Sequence, residues 1–211
     1  MGRAFQALLK MIKVDLHIHT KYSPDANIDP LMLAKYCQKY NILPAITDHN
    51  RLKVKMRNAI MGEEIMTKEG EIIGLFLNEG IRPHLSIEET LDRIREQDAL
   101  VLVPHPFDIM RHSTLKRHDF KMDIIEVFNS RVIFQKFNRR ANEFANRNNI
   151  IKTASSDAHF LSEVGSSYAY MDEFHSKKEF LQNLSRARLV MRKTPNLNKV
   201  RSMIIKWKKR A

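Results

Sequence analysis

Asp15-Leu16-His17-Ile18-His19-Thr20 follows the short apolar run Ile12-Lys13-Val14 near the start of the chain, and no other segment restricts the fold so tightly. Side chains of a β-strand alternate between its faces, so this spacing predicts Asp15, His17 and His19 on one face with Leu16 and Ile18 packed behind them. Three such groups on one face can converge on a cation. The plainer alternative is an Asp/His cluster satisfied by hydrogen bonds at a strand end. Either way, burial demands partners from elsewhere in the chain, because an unpaired buried imidazole or carboxylate is costly.

Three further segments supply them. Leu43-Pro44-Ala45-Ile46-Thr47 runs into Asp48-His49-Asn50, Ala99 to Val103 into Pro104-His105-Pro106, and Ile150 to Ala154 into Ser155-Ser156-Asp157-Ala158-His159. Each reads as a strand that delivers histidine, with or without aspartate, at its C-terminal end. Core packing does not explain that repetition; imidazole and carboxylate are metal ligands.

Taken in order, Asp15 to Thr20, Thr47 to Asn50, Gly62-Glu63-Glu64-Ile65, Pro104 to Pro106 and Ser156 to His159 resemble the signatures of the PHP (polymerase and histidinol phosphatase) family, over roughly Lys13 to Tyr170. The resemblance implies a distorted (β/α)7 barrel holding up to three metals. His17, His19 and Asp157 would hold the first; Glu64 would bridge it to a second that also takes His105; Asp25, His49 and His159 would take the third. Asp25 follows His19 by six residues, in Tyr22-Ser23-Pro24-Asp25, where the family carries histidine or aspartate; a turn aspartate after Pro24 is the alternative. Asp15 and Asp48 each precede a histidine ligand and are expected to orient imidazoles from behind.

Two features depart from the family pattern. Only Arg51 to Met61 separate the Asp-His-Asn segment from Gly62, where a parallel crossover takes about a dozen residues, so Glu64 depends on a short connection. The stretch Gly74 to Glu79 has no histidine ahead of the Pro-His-Pro element, which leaves the second metal weakly held or absent.

Strand and helix signals alternate along the chain. A helix is predicted over Pro30 to Tyr40, an extended pair over Ile60 to Met66 and Glu71 to Leu77, and a helix over Ser86 to Gln97 opened by the capping box Ser86-Ile87-Glu88-Glu89. Strands over Ala99 to Val103 and Asp123 to Phe128 precede a long helix from about Val132 to Asn148. The pattern favours a single-domain α/β fold with a parallel sheet and its ligands at the C-terminal strand ends. With 211 residues and 43% hydrophobic content, one substantial core fits.

Charge divides the chain into an N-terminal extension (residues 1–11), a body (12–185) and a C-terminal segment (186–211). Of the formal +12, residues 186–211 carry ten Lys/Arg and no Asp/Glu, leaving the rest nearly neutral. Val200, Met203, Ile204 and Trp207 recur at helical spacing, so Asn198 to Arg210 reads as a basic amphipathic helix. Its apolar stripe is expected to dock on the barrel; contact with a nucleic-acid backbone or an anionic lipid surface is the other reading. Arg131, at a strand end, is a candidate fork for a phosphate, with a surface ion pair as the alternative. The lone Cys37 cannot form an internal disulfide and no apolar run is long enough to span a bilayer, which points to a cytoplasmic location without a transmembrane segment. Residues 1–10 are too short and mixed for a secretory signal, and Gln6 breaks the myristoylation pattern.

The chemistry expected of an all-nitrogen and oxygen site is hydrolysis of a phosphomonoester or terminal phosphodiester by a metal-activated hydroxide, with two to three zinc, manganese or iron ions. His17, His19, Glu64, Asp157 and His159 form its catalytic centre, and the substrate is a phosphorylated small molecule or a nucleic-acid end. A nuclease assisted by the basic segment and a noncatalytic metal-stabilised module are the alternatives. The residues needed for a serine hydrolase elbow, a P-loop or a thiolate zinc site are missing.

Overall fold

A computed structural model describes residues 10–209. Most of the expected N-terminal extension, with Gln6, therefore lies outside the described residues, and Met11 already begins the first strand. Strand β1 (Met11–Ile18) leads through α1 (Pro30–Tyr40) to β2 (Ile42–Ile46), and β3 (Ile60–Thr67) turns directly into β4 (Gly70–Leu75). Then come α2 (Ile87–Glu96), β5 (Leu100–Val103), β6 (Ile124–Asn129), α3 (Gln135–Asn148) and β7 (Ile151–Ser155). β8 (Tyr168–Asp172), α4 (Lys177–Ser185), β9 (Arg188–Val190) and α5 (Leu197–Lys208) complete the chain. Local chemistry starts the helices where the sequence predicts: Asp29 caps α1 ahead of Pro30, and Ser86 and Glu89 form the capping box of α2.

The strands form one sheet in the order β7-β6-β5-β4-β3-β2-β1-β8-β9. It curls until Ile18 bridges Ala158 just past β7, where His19 N–H donates to the Ala158 carbonyl at 2.9 Å. Strands β1 to β7 thus make a nearly closed, distorted seven-stranded barrel, with the antiparallel pair β8 and β9, joined through α4, attached to the lower part of β1. The sheet is mixed rather than parallel: β4 runs antiparallel to both neighbours because only Lys68 and Glu69 connect it to β3, too few for a crossover. Between β2 and β3 the pairing is parallel, yet the connection contains no helix.

Three apolar clusters fill the layers. Ile12, Val14 and Leu16 meet Ile73, Leu75, Leu102 and Ile124 inside the barrel; Ile87, Leu91 and Ile94 of α2 and Ala145 of α3 cover one outer face; Leu33 and Cys37 of α1 cover another with Ile18. Leu16 lies inside and Ile18 outside, although strict alternation would put both on one face. The pairing of β1 with β2 shifts register between Asp15 and Ile18, and this bulge redirects the strand just below the histidines.

Helix α5 reverses its expected orientation. Its polar residues Asn198 and Ser202 are buried, whereas Leu197, Val200, Met203, Ile204 and Trp207 are exposed. The reason is a polar anchor beneath it: Arg131, 6% exposed, donates to Glu163 at 2.8 Å, to Ser202 Oγ at 2.9 Å and to the Asn198 carbonyl.

Gly70 fixes a long loop against the β3–β4 turn. Its φ of +133° suits glycine, and a Cβ there would come within 2.5 Å of Leu115 Cα and 2.9 Å of the Ser113 carbonyl oxygen. Gly70→Ala should therefore cost about 2–4 kcal/mol in urea unfolding, from backbone strain and overpacking together.

Candidate metal centre

The C-terminal ends of β1, β2, β5 and β7, with the middle of β3, gather the expected ligands into one buried cluster. His17, His19, Glu64, His105, Asp157 and His159 are buried, and the side chains of His49 and Asp25 are 21% and 18% exposed at the open edge. His17 Nε2 and His19 Nε2 stand 3.1 Å apart, and Asp157 Oδ1 lies 3.6 and 3.4 Å from them. Glu64 is central: its Oε2 is 3.4 Å from His17, 3.3 Å from His19 and 3.1 Å from His49 Nδ1, while Oε1 is 3.0 Å from His105 Nε2. The short connection is sufficient because it needs no helix: Glu64 N–H donates to the Asp48 carbonyl, and Asn50 N–H to that of Glu64. Asp25 Oδ1 sits 3.4 Å from His159 Nε2 and 3.6 Å from His49 Nε2.

Three of the buried imidazoles are aimed by a bond at their other nitrogen, while His105 Nδ1 has no partner among the described residues. His17 Nδ1 meets Glu126 Oε1 at 3.2 Å, His19 Nδ1 meets Ser23 Oγ at 3.1 Å, and His159 Nδ1 meets the Asp157 carbonyl at 2.8 Å. The Nε2 atoms are thereby turned toward the carboxylates, as supporting contacts do for metal-binding histidines. Asp48 acts in this way through an intermediary, accepting from Ser23 Oγ at 2.7 Å. Asp15 does not. The bulge places it on the opposite face from His17, where it accepts from Ser156 N–H and Gly165 N–H, each at 3.0 Å, and joins β1 to the segments past β7. Burial, only partly offset by these bonds, pushes its carboxyl up to about 6. Glu126, absent from the sequence reading, takes the role expected of Asp15.

Glu71 is a second addition. It shares the inner face of β4 with Ile73 and Leu75, and its carboxylate comes within 3.4 Å of His49 Nδ1 and 3.7 Å of His105 Nε2. Parity with Ile73 and Leu75 was the available signal. Four groups present donor atoms mutually within 4.8 Å: His17/His19/Asp157, His17/Glu64/His105, His19/His49/His159 and His49/Glu64/Glu71. The first matches the trio expected for one ion, and the second adds His17 to the pair expected for another.

The electrostatics and geometry suit cations. Burial raises the Glu64 and Asp157 carboxyls, but the imidazoles of His17 and His49 around Glu64, and Arg111 and His17 beside Asp157, outweigh it and hold both well below the usual range. His19 is pushed down to about 4 by burial and by His159 and His49, whereas against the pull of burial Glu64 and the neighbouring carboxylates hold His17 and His49 well above the usual imidazole range, with protons that a cation would have to displace. Asp25 Oδ1 and Asp157 Oδ1 are buried and have no hydrogen-bond donor. A cation with bonds of about 2.1 Å sets neighbouring donors about 3.0–3.4 Å apart, close to the separations found here. Backbone strain marks the same place: His105 and Asp157 have φ of +31° and +53°.

Arg131 is not in this pocket; its guanidinium is spent on Glu163 and α5, because it leaves β6 on the side that faces the helix. Arg111 is there instead, on the loop after β5. It donates to Asp157 Oδ2 at 2.6 Å, to Asp108 at 3.2 Å and to Asn129 at 3.4 Å.

Residues 135–189 match the family model described as PHP-associated. The chain is 41% identical over 216 residues to an uncharacterized protein of Methanocaldococcus jannaschii, covering 94% of this chain and 88% of that one. A two-domain protein of Bacteroides vulgatus containing a predicted PHP-like metal-dependent phosphoesterase superposes with a TM-score of 0.64 at 17% identity, over 87% of this chain and 66% of that one. The chain thus carries a PHP-associated segment on a barrel of the PHP type. It also resembles a lesion-specific endonuclease from Pyrococcus furiosus, with a TM-score of 0.58 at 15% identity, over 85% of this chain and 58% of that one. At those identities the likeness is one of fold, and the PHP barrel seen here accounts for it. Among the described residues no helix is long and apolar enough to cross a membrane.

Proposed function

We propose that this protein is a metal-dependent phosphoesterase acting on a phosphomonoester or a terminal phosphodiester. The observation that carries the reading is the pair of buried carboxylate oxygens, Asp25 Oδ1 and Asp157 Oδ1, that face imidazole nitrogens without any donor of their own. His17, His19 and Asp157 would hold one ion, Glu64, His105 and His17 a second, and Asp25, His49 and His159 a third, from the zinc, manganese and iron(II) class. Such ions supply a nucleophilic water near neutral pH and offset charge building on a phosphoryl group. The chain's own residues do the rest. Glu126 and Ser23 keep the His17 and His19 rings oriented, Glu64 would be shared between ion positions, and the buried walls exclude bulk water so that charges act at full strength. We place the hydrolase unit in the residues 12–185 body, to which β9 and α5 add an outer strand and a covering helix, and the protein in the cytoplasm, in keeping with its single buried thiol.

A panel of a chromogenic phosphomonoester, a chromogenic phosphodiester and labelled single-stranded DNA and RNA, each with Mn²⁺ or with chelator, tests the reading. Turnover of a monoester or a terminal diester that chelator abolishes is expected. Internal cleavage of nucleic acid alone would favour a nuclease, and no turnover with any metal would overturn the hydrolase assignment.

A further inference from the structure

Helix α5 is held to the barrel by polar contacts along one side and at its end. Asn198 Nδ2 donates to Glu163 Oε1 at 3.0 Å, Arg131 donates to Ser202 Oγ at 2.9 Å, and Lys209 Nζ donates to the carbonyls of Lys21, Ser23 and Ala26 at 2.7–2.8 Å. At helical spacing Asn198, Ser202 and Lys209 share one face, so these anchors fix the rotation of the helix as well as its place. Rolling the opposite face inward would take the Ser202 and Asn198 partners away from the buried Arg131–Glu163 ion pair, a costly exchange.

That opposite face is apolar and open. Leu197, Val200, Met203, Ile204 and Trp207 cover about a third of the helix circumference, and Met203 and Trp207 are 70% and 71% exposed. A single exposed leucine needs no explanation; a contiguous stripe turned to solvent by buried polar bonds does. Cations edge it on both sides. Lys199 and Lys206 follow one border and Arg201 and Lys208 the other, and none of the four is in an ion pair among the described residues. Residues 186–211 carry ten Lys/Arg in all and no Asp/Glu.

The occupants such a face can take differ in what they need. A nucleic-acid backbone uses the cations but not a continuous apolar stripe between them. A second copy of the chain uses the stripe but sets like charge against like along both borders. An anionic bilayer uses both, because the apolar side chains and the indole enter the boundary between headgroups and acyl chains while the Lys and Arg stems extend sideways to the lipid phosphates. We infer that the outward face of α5 docks this protein on an anionic phospholipid surface, with the helix lying in the plane of the interface. Docking needs no rearrangement, since the polar face already holds the barrel. One such helix gives reversible, salt-sensitive attachment.

The test is flotation of the full-length protein with vesicles of phosphatidylcholine alone or with about a third phosphatidylglycerol, read together with the emission of Trp207, the only tryptophan of the chain. Wild type is expected to float with the anionic vesicles, its emission shifted to shorter wavelength, and to stay in solution with the neutral ones. Val200→Ser/Met203→Ser, at exposed positions that make none of the anchoring bonds, should bind the anionic vesicles about tenfold more weakly with metal content and circular dichroism unchanged. No flotation of wild type with anionic vesicles, or equal flotation of the double variant, overturns the proposal. Labelled single-stranded DNA or RNA that binds more tightly than the vesicles, and equally well to both proteins, would assign the cations to nucleic acid and overturn it too. So would a dimer seen by light scattering that the double variant dissociates, which would give the stripe to a second copy.

Discussion

Asp157→Asn is expected to lower phosphoesterase kcat by about a thousandfold or more while leaving the barrel folded. Its Oδ2 binds Arg111 and Asn129, and its Oδ1 faces the Nε2 atoms of His17 and His19. An amide keeps the shape but removes the negative charge and can turn an N–H₂ toward Arg111 or toward the imidazoles, where both donors and a cation would be repelled. Several kcal/mol of charge stabilisation act at such a position, which is the scale of that rate loss. Steady-state kinetics with saturating Mn²⁺, beside circular dichroism, check the result; activity within tenfold of wild type would remove Asp157 from the centre.

Arg131→Met is expected to destabilise the fold by about 3 kcal/mol or more without touching the cluster directly. The substitution strands Glu163 in a buried site and removes the donors to Ser202 and Asn198, and breaking a buried ion pair from one side carries a cost of that order. Urea unfolding of Arg131→Met against Arg131→Met/Glu163→Gln separates the stranded charge from the lost packing: the double variant should recover part of the loss.

The sequence made the centre legible wherever a strand pattern ended in histidine, since strand direction alone brings those ends to one rim of a barrel. His17, His19, His49, His105, Asp157 and His159 meet for that reason. Asp15 was misread because alternation fails at a bulge, and nothing in Val14-Asp15-Leu16 announces one. Glu126 and Asn129 lie on a strand that reads as ordinary core, and only the fold puts Glu126 3.2 Å from His17. Helix α5 was legible as a helix but not in its orientation: periodicity shows which residues share a face, while the burial of Arg131 and Glu163 decides which face meets the barrel. Strands β8 and β9 and the helix α4 between them carry short, mixed patterns that give no comparable signal.

Elemental analysis of the protein purified without chelator, set against His17→Ala/His159→Ala, tests the central claim most directly. Two to three equivalents of zinc, manganese or iron in the wild type, and loss of most of them in the double variant with the fold retained, are predicted. Full metal content in the double variant, or a wild type that takes up none when offered these ions, would contradict a cation-binding centre at these residues.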